Sequence, residues 1–280
     1  MVTALLFISA CSGTSIVYNR LDFLLPWYVD DYAELNQAQK AYLDELLAPF
    51  LTWHRNQELP NYVKVLEDIE DRLQRPQTPA EVAAVFAEFE QAWLRLESEA
   101  LDWLLDLGAR LSDEQIAGFL NELSERQQEY EEEYLARNDE EFFQDNYDNL
   151  LDNAQDYLGN LSEQQRDMLR NASRQLQRSD QAWLQGRADW LQQLAVLLQR
   201  QPGWQDKVRA QVAARSDNTP HEHRRIYEHN MGVIYEALAQ LLNGRSDQQD
   251  RHLRNKLSEL QEDVVTLIAQ GNAPAQAPSG

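Results

Sequence analysis

The residues best suited to chemistry lie in one stretch, Trp53-His54-Arg55, then Glu58-Leu59-Pro60 and Tyr62. On a helix, His54 and Glu58 are four residues apart and share a face, so they can hydrogen-bond. A histidine beside a carboxylate is the minimum equipment for general acid–base work. Upstream, Asp22, Asp30, Asp31 and Tyr32 offer partners for Arg55 if the first two helices pack together. The same groups can serve as a polar lock that fixes how two helices meet, or as a site for a ligand or partner. The candidate set is Asp30, Asp31, Tyr32, Trp53, His54, Arg55, Glu58 and Tyr62. Three readings stay open: lock, binding site, or hydrolase built on His54 and Glu58. No Ser-His-Asp arrangement can be inferred and there is no Gly-rich phosphate loop, so no catalytic residue is assigned.

His221-Glu222-His223, followed by Glu228 and His229, invites a metal reading. Helical residues two apart diverge by about 200°, so His221 and His223 cannot share a face. Zinc-binding helices use histidines four apart. Glu131-Glu132-Glu133 lacks the glycine-centred loop of a calcium site. No metal and no other cofactor is expected.

One further residue carries a covalent chemistry. Ala4 to Ile8 is an apolar run, and Ile8-Ser9-Ala10-Cys11 ends it at the single cysteine of the chain. This resembles the lipobox of bacterial lipoproteins. The resemblance implies a signal peptide over residues 1–10, cleavage before Cys11, and acylation of Cys11 as the lipidated first residue. Residues 1–10 contain no Lys or Arg, so the basic start of a signal peptide is missing. The true start is therefore expected upstream. Ser12, not aspartate, follows Cys11; by the same resemblance this favours the periplasmic face of the outer membrane.

The elements that must position these residues are helical. Glycine and proline are sparse, at 10 and 9 of 280, and the apolar period is 3.6 residues. Helix starts are marked by capping boxes, in which a Ser, Thr or Asn and a Glu or Gln three residues on satisfy each other's free N–H groups. They occur at Asn36/Gln39, Thr78/Glu81, Ser112/Gln115, Ser162/Gln165, Thr219/Glu222 and Ser246/Gln249. The pattern predicts a first helix from Tyr18 to Tyr32 interrupted at Pro26, then helices over 37–58, Pro60–Leu73 and Pro79–Gly108. The helix from Pro79 should bury Val82, Phe86, Phe89, Trp93, Leu101 and Leu104. A long helix from Asp113 should bend near Asn138 and end at Gly159. Another should run unbroken from Ser162 to Leu198, followed by helices over 204–214, from Pro220, and from Asp247 to Gly271. Leu111-Ser-x-x-Gln115 and Leu161-Ser-x-x-Gln165 form an internal echo, with Leu35-Asn-x-x-Gln39 as a looser copy. The echo reads either as repeated helix-start chemistry or as a duplicated hairpin. It also resembles a motif of small periplasmic chaperones.

The net charge is −22, from 47 acidic and 25 basic residues, which disfavours nucleic acid or an anionic membrane surface as the main partner. Acids crowd the stretch from Glu129 to Asp152, either a solvated face or a docking face for a basic partner. A lone cysteine leaves no internal disulfide.

The N-terminal cluster also carries a family resemblance. Cys11, Tyr18-Asn19-x-Leu21-Asp22, Trp27-x-x-Asp30-Asp31-Tyr32, Trp53-His54-Arg55-x-x-Glu58-Leu59-Pro60-x-Tyr62 and Arg225-x-Tyr227 with Asn230 resemble an uncharacterised group of proteobacterial lipoproteins, defined as a domain of unknown function. The resemblance spans most of residues 11–265 and implies no activity.

The expected protein is all-α, a bundle of about eight to ten helices with long amphipathic hairpins and no β-sheet. Residues 1–10 form the signal peptide, 11–17 a lipidated tether and 18–270 the helical domain, with two lobes, 18–110 and 111–270, as an option. Residues 271–280 form a disordered tail. The function expected is a membrane-anchored, non-enzymatic binding or structural protein of the cell envelope with a protein partner. The alternatives are a chaperone-like holder of envelope clients and the His54/Glu58 hydrolase.

Overall fold

The computed structural model describes residues 17–215 and 219–272. Cys11, the signal peptide expected over residues 1–10 and the tail beyond residue 272 lie outside the described residues. Among these residues all regular structure is helical, as the 3.6-residue periodicity predicts. The order is α1 (Leu21–Ala33), α2 (Gln37–Trp53), a π-helical turn (His54–Glu58), α3 (Leu59–Arg72), α4 (Pro79–Gly108), α5 (Asp113–Ala136) and α6 (Asp139–Leu158). Then come α7 (Glu163–Ser173), α8 (Asp180–Leu197), α9 (Trp204–Ala213), α10 (His221–Asn243) and α11 (Asp247–Asn272).

The capping boxes at Asn36, Thr78, Ser112 and Ser162 form as predicted, and Ser246 with Gln249 makes the same reciprocal bonds. Thr219 does not cap α10. Its hydroxyl donates to the Arg215 carbonyl instead, and Pro220 occupies the cap position. The expected bend near Asn138 is a complete break, because Asn138 and Glu141 build a further capping box that starts α6. Pro26 does not interrupt α1, which runs through it.

The predicted helix from Ser162 to Leu198 is two helices. No glycine or proline marks the break between Ser173 and Asp180. It is imposed from outside: Asn230 on α10 accepts the Gln177 backbone N–H at 2.8 Å and donates to its carbonyl at 2.8 Å. Asn243, at the other end of α10, grips the backbone of Gln77 in the same way, at 2.7 and 2.8 Å. One helix thus holds two loops. On α4, Trp93 and Leu104 are exposed rather than buried, while Ala92, Trp103, Leu105 and Leu107 face inward. The buried face of this 30-residue helix shifts along its length, because α10 covers its first half and α2 and α9 its second.

The Leu-Ser-x-x-Gln pattern has a tertiary role. In a capping box the glutamine oxygen accepts the cap N–H, which leaves the side-chain NH₂ free to donate. Gln39 and Gln115 use it on each other: Gln39 Nε2 donates to Gln115 Oε1 at 2.8 Å, and Gln115 Nε2 donates back at 2.9 Å. Their other hydrogens reach the Arg110 carbonyl at 2.9 Å and the Ala33 carbonyl at 3.0 Å. Gln165 and Gln249 form the same reciprocal pair at 3.1 and 2.9 Å, and Gln249 also donates to the Asn160 carbonyl at 2.9 Å. The starts of α2 and α5 are therefore knotted together, and so are the starts of α7 and α11.

Each knot sits at the edge of an apolar core. Leu43 and Leu107 lie beside the first, with Ala33, Leu35, Leu47 and Trp103. Leu169 and Leu241 hold the corresponding places beside the second, with Leu158, Leu161, Leu253 and Leu257. By position in the knots, Leu35 corresponds to Leu161 and Leu107 to Leu241, whereas the copies at 111 and 161 that the sequence sets side by side do not correspond. Leu66 of α3 and Leu73 just after it join the second core, where α3 packs along α11.

Gln39, Gln165 and Gln249 are all buried, so deleting one amide strands its partner. Gln165→Ala is expected to cost about 1–3 kcal/mol. The Gln165/Gln249 double variant should cost less than the sum of the singles, with a coupling of roughly 0.5–3 kcal/mol. Gln39 with Gln249, from different knots, should be additive. Urea-unfolding midpoints measure all three, and additivity within the Gln165/Gln249 pair would rule out the knot.

Candidate functional site

The stretch carrying His54 and Glu58 is not α-helical. The Leu59 N–H reaches back five residues to the His54 carbonyl, which widens the turn between α2 and α3. Pro60 accounts for this: it has no N–H to give, and its ring would crowd the carbonyl four residues back in an α-helix. A π turn just ahead of it lets the two helices run on without a break.

This turn redirects Glu58. Its side chain is 1% exposed and meets α4, not His54. Arg95 Nε donates to Oε2 at 2.9 Å and Arg95 Nη2 to Oε1 at 2.6 Å; Asn61 Nδ2 adds a bond at 3.3 Å. A buried carboxylate is costly unless ionically paired, and the two-pronged guanidinium bond meets that requirement. The predicted His54–Glu58 hydrogen bond is replaced by the Glu58–Arg95 pair.

His54 is held between two tyrosines. Its Nδ1 lies 2.8 Å from the Tyr18 hydroxyl, and its Nε2 3.5 Å from the Tyr62 hydroxyl. Phe50 and Trp53 crowd the ring. Burial pushes the imidazole down to about 4; the Glu58 charge opposes this and the Arg55 charge adds to it. His54 is thus neutral at pH 7, with one nitrogen donating and the other accepting. Burial, and after it the Glu58 charge, pushes Tyr62 up to about 12, so it keeps its proton.

Arg55 does not pair with Asp22, Asp30 or Asp31. Its Nη1 donates to the Leu267 carbonyl at 3.2 Å and its Nη2 to Asn19 Oδ1 at 3.1 Å. Its guanidinium carbon stands 5.1 Å from the centre of the Tyr18 ring. Asn19 also donates to Gln270 at 2.8 Å. The backbone of Gly271 comes so close to the Arg55 stem that an added Cβ would lie 2.2 Å from Cδ. Arg55 therefore joins the start of the described chain to the end of α11.

The remaining candidates form a separate group. Asp30 stabilises the α1–α2 turn, accepting from the Leu35 N–H and from Lys40 Nζ, each at 2.7 Å. The bond from Lys40 holds its carboxyl below the usual range. Glu34 adopts a left-handed φ of 45° in that turn. Tyr32 packs on Phe119 and lies beneath Arg126, and Asp31 is exposed. The structure thus gathers Trp53, His54, Arg55, Glu58 and Tyr62 and sets Asp30, Asp31 and Tyr32 apart. Arg95, absent from the candidate set, is central. Nothing distinguishes it from the other charged residues along α4 until the fold brings it against Glu58.

Chemically, both nitrogens of His54 and both oxygens of Glu58 are occupied by partners within the fold, and the two side chains turn to different partners. The arrangement is a polar lock between α2, α3, α4 and α11. The groove between α7 and α10, lined by Glu163, Asp167, Asn171, Glu236 and Gln240, lies elsewhere. His229 Nε2 is 2.9 Å from the Gln175 carbonyl. Among the described residues no group of three or more His, Cys, Asp or Glu is placed to hold a metal ion.

Two measurements follow from the lock. Arg95→Ala leaves Glu58 buried and unpaired and should cost about 3 kcal/mol; retained wild-type stability would remove Arg95 from its role. The His54 shift makes stability depend on pH. Between about 6.5 and about 4 the unfolded chain binds a proton on this histidine that the folded chain does not. Its contribution is complete above pH 6.5 and declines as pH falls toward 4, by on the order of 3 kcal/mol in all. His54→Phe should flatten that decline, as measured by urea unfolding at pH 4.5 and 7.5. An unchanged slope would contradict a neutral buried His54.

Residues 31–224 match DUF6279, described as a family of unknown function. The match runs from near the end of α1 into the first turn of α10, so Tyr18 to Trp27 and Arg225 to Asn230 fall outside it. No curated protein and no solved structure matches the chain. With most of its length covered, and with the His54–Arg55–Glu58 lock inside the matched span, this chain belongs to the DUF6279 family of unknown function.

Proposed function

We propose that this protein is a lipid-anchored component of the bacterial cell envelope, acylated on Cys11 and displayed on the periplasmic face of the outer membrane. Its helical body acts by binding another envelope protein rather than by catalysis. The observation that carries this reading is Ile8-Ser9-Ala10-Cys11, an apolar residue and two small ones before the only cysteine. Ser12 in the next position favours outer-membrane sorting. The body suits a tethered role: no helix among the described residues is long and apolar enough to cross a membrane. The groups best suited to acid–base chemistry, His54 and Glu58, have their hydrogen-bonding capacity taken up within the fold. What remains for function is surface, much of it carboxylate-rich from Glu129 to Asp152, which suits a partner carrying basic side chains.

The anchor is tested directly. In cells, the wild-type chain should fractionate with membranes and begin at an acylated Cys11 by mass spectrometry, while Cys11→Ser should shift to the soluble periplasmic fraction. A mature chain that keeps Met1 and a free thiol would end this reading. In-cell cross-linking with mass spectrometry should recover an envelope protein joined to the body, and its absence removes the partner.

A further inference from the structure

We infer that the outer face of α1 is a membrane-contact surface, in which Phe23 and Trp27 insert at the interface of the bilayer that holds the anchor. The inference rests on the lipid-anchor reading and goes beyond it, because it assigns the orientation of the body on the membrane.

α1 is apolar on two sides. Leu25, Val29 and Ala33 face the first core. Phe23 and Trp27 lie on the opposite side and are 67% and 63% exposed. A helix on a protein surface ordinarily turns a polar side outward, and a single exposed apolar residue needs no explanation. Here Val17, Phe23, Trp27 and Tyr28 are all exposed within twelve residues of chain, whereas the other large exposed apolar side chains are spread over α4, α5, α8, α10 and α11. Phe23 and Trp27, four residues apart, form one stripe, and the exposed Arg20 flanks it.

The position of this stripe selects its occupant. Only residues 12–16 separate Cys11 from Val17. Six steps of fully extended chain reach at most about 20 Å, so an acylated Cys11 holds Val17, four residues ahead of α1, within that distance of the lipid. Tryptophan and phenylalanine on one side of a helix favour the interface between water and acyl chains. The net charge of −22 removes attraction to anionic lipid as the driving force, so the contact is apolar and insensitive to salt.

A photoreactive diazirine amino acid placed at residue 27, and separately at residue 23, in the full-length chain in cells tests this. Residue 196 on α8, where Val196 is equally exposed, serves as the control. The expected result is an acylated Cys11 with phospholipid adducts at 27 and 23 that form equally when membranes are washed in high salt before irradiation, and none at 196. An acylated Cys11 with no lipid adduct at 27 or 23, or with a protein adduct there, overturns this inference and leaves the anchor standing. Equal lipid adducts at 196 overturn the assignment to α1. A free Cys11 thiol ends both readings.

Discussion

An all-helical chain of short connections must satisfy the free N–H groups at the start of every helix, and this fold is arranged around that obligation. Each α-helix leaves four N–H groups without intrahelical partners. Capping boxes provide the local answer at α2, α4, α5, α6, α7 and α11. The two glutamine knots go further, because the donor left over in one box satisfies an acceptor in another. Helix starts far apart in sequence are thereby held in register, and the apolar cores beside them inherit that register through Leu43 and Leu107, and Leu169 and Leu241. The Asn230 and Asn243 grips extend the same logic to loop backbone.

What the sequence made legible was what is settled locally. A capping box is complete within four residues, so most helix starts could be placed from sequence alone, and the 3.6-residue period identified the all-α class. Tertiary override accounts for the misses. The break after Ser173 depends on Asn230 reaching Gln177. The rotation of Trp93 and Leu104 into solvent depends on which helices cover α4. In the site, the expected pairings do not form. An α-helical spacing rule joined His54 to Glu58, and the π turn induced by Pro60 invalidated the rule. Arg95 could not be found because a Glu–Arg pair across 37 residues leaves no spacing signal.

The lock itself shows how polar groups can specify geometry. A neutral histidine between two tyrosine hydroxyls permits one arrangement of α2, α3 and the segment before α1. A buried carboxylate that accepts a planar guanidinium permits one approach of α4. The groups most suggestive of catalysis are thus those most constrained by packing.

The contact of Arg55 with both ends of the described chain has a mechanical consequence. Asn19 is bonded to Arg55 and to Gln270, and Tyr18 to His54. A pull on the chain ahead of Val17 therefore meets these bonds before it reaches α1. Tension entering at the N-terminus is shared with the π turn and with the helix that closes the fold, not borne by the first turn of α1 alone.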